Sequence, residues 1–222
     1  MIEPGTRYLQ IAFNDDLGSA MRILATLPKD PRILVEAGTP FIKREGMKGI
    51  RRLRWFWQHG IVADLKTTDG GGEEVEMVQQ AGATAATVMG SSPVETLERF
   101  IAECHSRSMD AIIDMLGVDD PLRVLRRLRT PPASVVVLHL GRDEESTRGK
   151  VIQYKHVKRI RSKFDVAIAA AGGVGLREAR TAIFNGASIV VANIVTPGKS
   201  WRGIPADSDV AAMARDFLAT IE

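Results

Sequence analysis

Short apolar segments alternate along this chain with segments whose apolar residues recur every three or four positions. The short segments have the length and β-branched content of buried strands, and the others have the periodicity of amphipathic helices. The pattern predicts strands at residues 8–13, 32–37, 60–65, 85–89, 111–115, 134–138, 166–170 and 188–192. It predicts helices that include residues 17–27, 43–57, 94–107, 176–185 and 207–220.

Alternation of strands and helices is typical of a parallel sheet built from βα units. Eight such units in 222 residues, about 28 residues each, suit a closed (β/α)8 TIM barrel. We therefore predict an α/β fold with one barrel domain over residues 1–222. The alternative is an open, doubly wound sheet, but no glycine-rich dinucleotide motif follows the first strand, where Asn14 stands.

Polar side chains concentrate just after the predicted strands. In a (β/α)8 barrel the carboxyl ends of the strands meet at one mouth, where the catalytic residues of such enzymes lie. We therefore expect the following residues to converge there: Asn14, Glu36, Asp64, Lys66, Asp69, Asp114, His139, Arg142, Gly172, Gly173 and Asn193.

The segment ADLKTTDGGG, residues 63–72, carries the densest chemistry. Asp64 and Lys66 are two apart and share one face of a strand, and Asp69 follows in the turn. Glu36 ends the neighbouring strand, so two carboxylates would meet at the mouth, and Mg²⁺ favours such oxygen ligands. The alternatives are a structural salt bridge with a solvated turn, and pairing of Glu36 with Lys66 or Lys43 alone.

Two further positions suggest catalysis and anion binding. His139 follows the apolar strand VVVL, and an imidazole there could act as a general acid and base near neutral pH. Gly172 and Gly173 would let backbone amides approach a phosphate, although a tight turn without a ligand is the alternative. Residues 196–203 could complete the anion site, act as a flap, or only connect to the last helix.

Composition narrows the class of protein. With 45% hydrophobic and 26% charged residues the chain resembles ordinary soluble domains. It has no apolar run of membrane-spanning length and no signal peptide, so we predict a cytoplasmic protein without a membrane partner. The net charge is +3. The basic clusters at residues 51–54, 126–129 and 155–163 lie on three separate predicted helices, which favours solvated helix faces over nucleic-acid binding. Cys104, the single cysteine, is interpreted as a packing residue.

Five segments resemble 3-hexulose-6-phosphate synthases, in particular the archaeal ones, which belong to the orotidine-5'-phosphate decarboxylase suprafamily. In chain order they are VEAGTP from residue 35, ADLKTTD from residue 63, IDMLGV from residue 113, HLGRD from residue 139 and AGGV from residue 171. They occur in the order and spacing of the synthases, and the resemblance extends over residues 8–192.

The resemblance implies an aldehyde-lyase of the ribulose monophosphate pathway. Such an enzyme uses Mg²⁺, and no Schiff base, to join formaldehyde to C1 of D-ribulose 5-phosphate, or catalyses the reverse, through a metal-stabilised enediolate. It implies Glu36 and Asp64 as metal ligands, with Asp64 also in the catalytic set, Lys66 beside the enediolate and His139 as proton shuttle. It further implies that Asp69 reaches the site of a partner subunit in a homodimer, and that the sugar phosphate is bound by Asn14, Asp114, Arg142, Gly172, Gly173 and Asn193.

Three positions depart from the synthase pattern. Asn14 stands where an aspartate is usual, and Asn193 where a glycine is commoner. Arg142 is more similar to the 3-keto-L-gulonate-6-phosphate decarboxylases, which keeps a decarboxylase of that type as an alternative. A catalytically silent barrel that binds a sugar phosphate is a second alternative. Orotidylate decarboxylation fits less well, since it relies on a lysine near the place of Glu36.

Overall fold

The computed structural model describes residues 2–129, 132–148, 150–199 and 201–222. The strands are β1 Tyr8–Phe13, β2 Ile33–Ala37, β3 Ile61–Thr67, β4 Ala85–Met89, β5 Asp110–Asp114, β6 Val135–His139, β7 Ala167–Ala171, β8 Ile189–Val195 and β9 Ile204–Pro205. The helices are α1 Leu17–Leu24, α2 Thr39–Phe56, α3 Gly71–Gln80, α4 Val94–Ser106, α5 Pro121–Leu125, α6 Arg142–Arg148, α7 Val157–Arg161, α8 Leu176–Phe184 and α9 Val210–Ile221.

Strands β1 to β8 form a closed parallel barrel. Each strand pairs with the next along the chain, and β8 also pairs with β1, from Tyr8 opposite Ile189 to Ala12 opposite Asn193. This last pairing removes the free edges that an open sheet would have. The predicted (β/α)8 barrel is therefore confirmed, and the doubly wound sheet is excluded.

The side chains inside the barrel follow the period of two along each strand. Buried inward residues include Tyr8 and Ala12 on β1, Leu34 on β2, Val62 on β3 and Ile112 on β5. Counting two residues towards the mouth from such positions gives the polar side chains of the site. Each of these polar residues lies two positions after an inward apolar one: Glu36 after Leu34, Asp64 after Val62, Asp114 after Ile112, His139 after Val137, and Asn193 after Val191. The apolar interior supports the mouth from below.

Several element boundaries differ from those predicted. Strand β3 continues to Thr67 through an irregular register after Ala63, so Lys66 lies within the strand and not after it. Helix α2 begins at Thr39 and is interrupted at Gly46, whose φ is +58°. Strand β9, which was not predicted, pairs with the end of β8. A strand of two residues is too short to produce a periodic pattern.

Two predictions of the composition analysis can be compared with the fold. Cys104 is a buried free thiol in α4, as expected of a packing residue. The basic cluster at residues 126–129 follows the short helix α5 and lies outside it, which corrects the prediction that it sits on a helix. Within the described ranges, no helix combines the length and the apolar character needed to cross a membrane.

Candidate active site

A cavity of about 490 Å³ opens at the carboxyl ends of the barrel strands. It brings together most of the residues that the sequence predicted for the mouth. The predicted site residues that line it are Asn14, Glu36, Asp64, Lys66, Asp114, His139, Arg142, Gly172 and Asn193. Their convergence follows from the parallel barrel, which directs the ends of β1, β2, β3, β5, β6, β7 and β8 to the same opening.

Lys66 lies between two carboxylates. Its Nζ is 2.6 Å from Asp114 Oδ2 and 3.2 Å from Asp64 Oδ1. Burial alone would lower the pKa of Lys66, but the charges of Asp64 and Asp114 outweigh it and raise this pKa well above its ordinary value. The side chain is therefore an ammonium ion. A protonated amine cannot attack a carbonyl, so this lysine is suited to stabilising negative charge and not to forming a Schiff base.

The backbone at Lys66 is unusual. Its φ is +52°, a left-handed conformation that is uncommon for residues other than glycine. The backbone N–H of Lys66 donates to Thr87 Oγ1 at 2.9 Å, and the same hydroxyl donates to Asp64 Oδ1 at 2.9 Å. Thr87 therefore stabilises both the irregular strand and the carboxylate. The local conformation lets Lys66 turn its ammonium group back over the mouth.

Asp64 is held by a second threonine. Thr39 Oγ1 lies 2.7 Å from Asp64 Oδ2 and 2.8 Å from its backbone oxygen. Thr39, Thr87 and Lys66 lie on three different elements, and together they provide donors to both carboxylate oxygens of Asp64. A side chain held in this way loses little further conformational entropy when it binds a ligand.

Glu36 is buried, with 7% of its surface exposed. Its Oε2 accepts from Gln10 Nε2 at 2.6 Å. Burial in the first place, and the negative charge of Asp64 in the second, raise the pKa of Glu36 from 4.5 to about 7. Among the described residues no ion pair joins Glu36 to Lys66 or Lys43, so the alternative of a purely structural pairing finds no support.

The charge of Glu36 makes stability depend on pH. Between pH 4.5 and about 7 the folded protein binds more protons at Glu36 than the unfolded chain does. The free energy of unfolding of the metal-free protein should therefore fall as the pH rises through this range, by roughly 3 kcal/mol in total. Glu36→Gln removes this loss. We expect the variant to exceed the wild type in stability at pH 8 and to match it near pH 4.

Urea unfolding at several pH values, with Glu95→Gln on the exposed face of α4 as control, measures this difference. Mg²⁺ should narrow the gap at pH 8, because a dication offsets the repulsion in the wild type but has one ligand fewer in the variant. Parallel pH profiles for Glu36→Gln and the wild type would contradict the interpretation.

His139 is oriented by Asp114. The imidazole Nδ1 lies 2.9 Å from both carboxylate oxygens of Asp114. Burial would raise the pKa of this buried carboxyl, but His139 and Lys66 hold it well below its ordinary value. An ionised Asp114 accepts the Nδ1 proton of His139 and leaves Nε2 to exchange a proton with a ligand. A second role of Asp114 is to accept from the backbone N–H of Leu116 at 2.9 Å.

The donor set suits a hard divalent cation. Glu36 and Asp64 line one cavity, and the repulsion between their charges contributes to the raised pKa of Glu36. Mg²⁺ commonly takes one or two carboxylates together with water and substrate oxygens. In the described part of the chain, no three histidine, cysteine or carboxylate side chains are grouped so that they could hold a metal ion by themselves. The two carboxylates therefore fit Mg²⁺, whose coordination would be completed by water and substrate oxygens.

Two predicted residues do not line the cavity. Asp69 is exposed in the turn after β3, where its Oδ1 accepts from the N–H of Gly70. Gly173 faces an adjoining cavity, and the carboxylate of Glu145 lies where a side chain at Gly173 would be. Gly172, with a φ of +100°, borders both cavities. In the segment 196–203, Ser200 lies outside the described residues.

Several site residues were not predicted from the sequence. Gln10 and Thr87 lie on inward strand positions, two residues from Tyr8 and Ala85 respectively, so the period of two could have identified them. Thr39 directly follows Gly38 and starts α2. Trp201 lies in the segment 196–203, which was predicted as a possible part of the anion site, but no signal paired it with Arg142. It lies far along the chain, and its ring meets Arg142 only because the loop after β8 folds back.

The chain is similar to known proteins of one family. A model of the family described as Orotidine 5'-phosphate decarboxylase / HUMPS matches residues 7–193. A Bifunctional enzyme Fae/Hps from Methanosarcina barkeri is 36% identical over 216 residues, which are 96% of this chain and 52% of that protein. The corresponding protein of Methanosphaera stadtmanae is 37% identical over 219 residues, 95% of this chain and 52% of that protein. The chain thus spans about half the length of these curated relatives.

Solved structures show the same architecture. A 3-hexulose-6-phosphate synthase from Salmonella typhimurium superposes with a TM-score of 0.83 at 25% identity, covering 96% of this chain and 98% of that one. A 3-keto-L-gulonate-6-phosphate decarboxylase from Vibrio cholerae superposes with a TM-score of 0.74 at 20% identity, covering 97% of each chain, and shows the fold alone. The chain belongs to the orotidine 5'-phosphate decarboxylase / HUMPS family.

Proposed function

We propose that this chain is a Mg²⁺-dependent aldehyde-lyase that joins formaldehyde to C1 of D-ribulose 5-phosphate, or catalyses the reverse reaction. The observation that carries the proposal is the ammonium group of Lys66 between Asp64 and Asp114, beside Glu36. An enediolate is an anion that this arrangement can stabilise. The similarity to Fae/Hps proteins and to a solved hexulose-phosphate synthase supports the choice of reaction.

Different residues would have different roles in the proposed reaction. Removal of the C1 proton of ribulose 5-phosphate forms the enediolate, and His139 Nε2 would take that proton while Asp114 holds Nδ1. The ammonium of Lys66 lies beside the negative charge that develops. C1 then forms a bond to the carbon of formaldehyde while the carbonyl at C2 re-forms, and a proton returned to the former formaldehyde oxygen completes the new hydroxyl group.

Glu36 and Asp64 would hold the magnesium ion. When bound, the ion supplies Lewis-acid stabilisation of negative charge on the sugar oxygens, an effect of several kcal/mol. Gln10 and the two threonines keep both carboxylates in place before any ligand arrives. The chain therefore provides a preorganised anionic pair, which favours the fit without a large rearrangement.

A second candidate is a decarboxylase of a 3-keto sugar-acid phosphate, which would share the enediolate. It is favoured by Arg142, because the half-buried guanidinium lines the cavity and could bind an additional anionic group. The catalytically silent barrel stays a weaker alternative, since a passive binding site does not need an aspartate-oriented imidazole beside a buried ammonium.

One assay separates these functions. Purified protein is mixed with ribulose 5-phosphate, formaldehyde and Mg²⁺, with and without chelator, and loss of pentose phosphate is measured. The synthase requires metal-dependent consumption of both substrates in equal amounts. Release of CO₂ from 3-keto-L-gulonate 6-phosphate without that consumption would favour the decarboxylase. No turnover in either assay, with binding of ribulose 5-phosphate retained, would favour the silent barrel.

We also propose a homodimer in which Asp69 acts in the site of the partner subunit. Its exposed position after β3 is compatible with this role. If it is correct, Asp69→Ala and His139→Ala should each be inactive alone but complement each other when the subunits are mixed. Random pairing makes half of the dimers mixed, with one intact site each, so about one quarter of the wild-type activity should return. Failure to recover activity in verified mixed dimers would place Asp69 in its own subunit's chemistry, or outside the chemistry.

A further inference from the structure

The three positions that depart from the synthase pattern are joined in the structure. Asn14 Nδ2 donates to Asn193 Oδ1 at 2.9 Å. Arg142 Nη2 donates to the same oxygen at 3.4 Å. The guanidinium carbon of Arg142 lies 4.0 Å from the centre of the Trp201 ring. Residues from the ends of β1 and β8, from the start of α6 and from the loop after β8 thus form one array on the rim of the mouth.

The array explains why the three residues occur together. A single oxygen of Asn193 accepts from two donors. An aspartate at position 14 would place a second acceptor opposite that oxygen. If the Asn193 amide rotated to donate instead, its NH₂ group would face Arg142, which is itself a donor. A glycine at Asn193 would leave both neighbours without this acceptor. Asn14, Asn193 and Arg142 are therefore matched to one another through this oxygen.

Arg142 differs from the other cationic groups of the cavity. Lys66 is paired with Asp64 and Asp114, and His139 with Asp114. Arg142 makes no ion pair with any carboxylate in the described ranges. It has five N–H donors, and the array accounts for one of them. A half-buried guanidinium that lines a cavity without such an ion pair is suited to binding an anionic group of a ligand.

The glycine loop is less suited to that anion. The carboxylate of Glu145 lies against Gly173, so a phosphate placed there would meet a negative charge. Arg202 is paired with Glu178 and lies 4.0 Å from Glu145, so its charge is already compensated. An anion at Gly173 would therefore require Glu145 to move, which an anion at Arg142 does not, because Glu145 does not line the cavity at the mouth.

We propose that Trp201 is a positioning residue for Arg142, and that the array of Asn14, Asn193, Arg142 and Trp201 selects the substrate through its anionic group, a phosphate or a carboxylate. The proposal rests on the proposed function for the identity of the sugar. The indole face stabilises the guanidinium over the cavity by a cation–π contact, while Asn193 sets its orientation. Arg142 would contact the substrate, and Trp201 acts through Arg142.

Variants of Trp201 test the positioning role. Trp201→Leu removes the aromatic face, and we expect KM for ribulose 5-phosphate to rise about tenfold with kcat changed less than twofold. Trp201→Phe keeps an aromatic face and should restore most of the affinity. Trp55→Leu is the control, because Trp55 is 77% exposed on α2. A fall in kcat alone would overturn the proposal, as would failure of Trp201→Phe to restore affinity. So would an unchanged KM for ribulose 5-phosphate in Trp201→Leu, if the affinity for 3-keto-L-gulonate 6-phosphate is also unchanged.

Calorimetric binding in the absence of formaldehyde identifies the anionic group. The ligands are ribulose 5-phosphate, inorganic phosphate, ribulose and 3-keto-L-gulonate 6-phosphate. If Arg142 binds phosphate, Trp201→Leu should weaken every phosphorylated ligand and leave ribulose unaffected. A loss confined to the sugar-acid phosphate would assign Arg142 to the carboxylate, which also fits the proposal. Equal affinities in variant and wild type would overturn it. Absence of binding to the wild type would instead refute the proposed function.

Fluorescence provides a measurement on the wild type that does not depend on the stability of Trp201→Leu. Trp57 is fully buried and Trp55 is remote on α2, so ligand binding at the mouth should change the emission of Trp201. The change on addition of ribulose 5-phosphate should be absent in Trp201→Phe. A change that persists in Trp201→Phe would contradict a place for Trp201 beside the ligand-binding guanidinium.

Coupling within the array is tested by the pair Asn14→Asp and Asn193→Gly. Each single change should raise KM for ribulose 5-phosphate about tenfold, because each breaks the same acceptor arrangement. The double variant should also show about a tenfold rise and not a hundredfold one, since contacting residues are not additive. Multiplicative effects would show that the positions act independently and would overturn the array as a unit.

Discussion

Replacing Asp64 by asparagine is expected to lower metal-dependent turnover by about 10³-fold or more, because it removes a charge that pairs with Lys66 and would hold the magnesium ion. Asp64 pairs with Lys66 at 3.2 Å and would share the magnesium ion with Glu36. Asparagine retains an oxygen for the Thr39 or Thr87 hydroxyl, so the fold should persist. The loss should therefore appear in kcat and in the affinity for Mg²⁺, and not in the unfolding transition.

Steady-state kinetics over a Mg²⁺ titration, together with calorimetric Mg²⁺ binding to the free protein, checks this prediction. Asp165→Asn is a matched control, since Asp165 is an exposed carboxylate before β7, at the opposite end of the barrel. The negative charge of Asp64 raises the pKa of Glu36, so Glu36 should titrate at lower pH in Asp64→Asn. Turnover within threefold of the wild type, at the same Mg²⁺ requirement, would refute Asp64 as a ligand.

Replacing His139 by glutamine is expected to slow exchange of the C1 proton of ribulose 5-phosphate by about 10² to 10⁴-fold. Glutamine can donate an amide hydrogen to Asp114 but cannot accept and return a proton. Lys66 still pairs with Asp114 at 2.6 Å, so the carboxylate stays compensated in the variant. Affinity for ribulose 5-phosphate should change by less than about threefold, because the imidazole acts in the transition state and contributes little to ground-state binding.

Proton exchange in D₂O without formaldehyde isolates this step from bond formation, and calorimetry gives the affinity. His105→Gln on the exposed face of α4 is the control for loss of a histidine. If exchange continues at the wild-type rate in His139→Gln, the base lies elsewhere, for example at Asp69 of a partner subunit. A large loss of affinity with normal exchange would make His139 a binding residue.

The sequence by itself determined the barrel and the members of its mouth. Eight apolar segments of strand length, separated by helical periods, allow few other folds, and a period of two carries each inward apolar position to a polar one at the strand end. Glu36, Asp64, Asp114, His139 and Asn193 could be placed at one opening for that reason. The five segments shared with hexulose-phosphate synthases identified the family.

The tertiary structure decided which of these groups pair with each other. Lys66 bridges Asp64 and Asp114 because the irregular end of β3, with a φ of +52° at Lys66, turns the side chain across the mouth. Sequence spacing specifies neither this turn nor the Gln10 contact of Glu36, since both depend on distances between strands. The meeting of Trp201 with Arg142 depends on how a loop folds back over the rim, and no local pattern encodes that path.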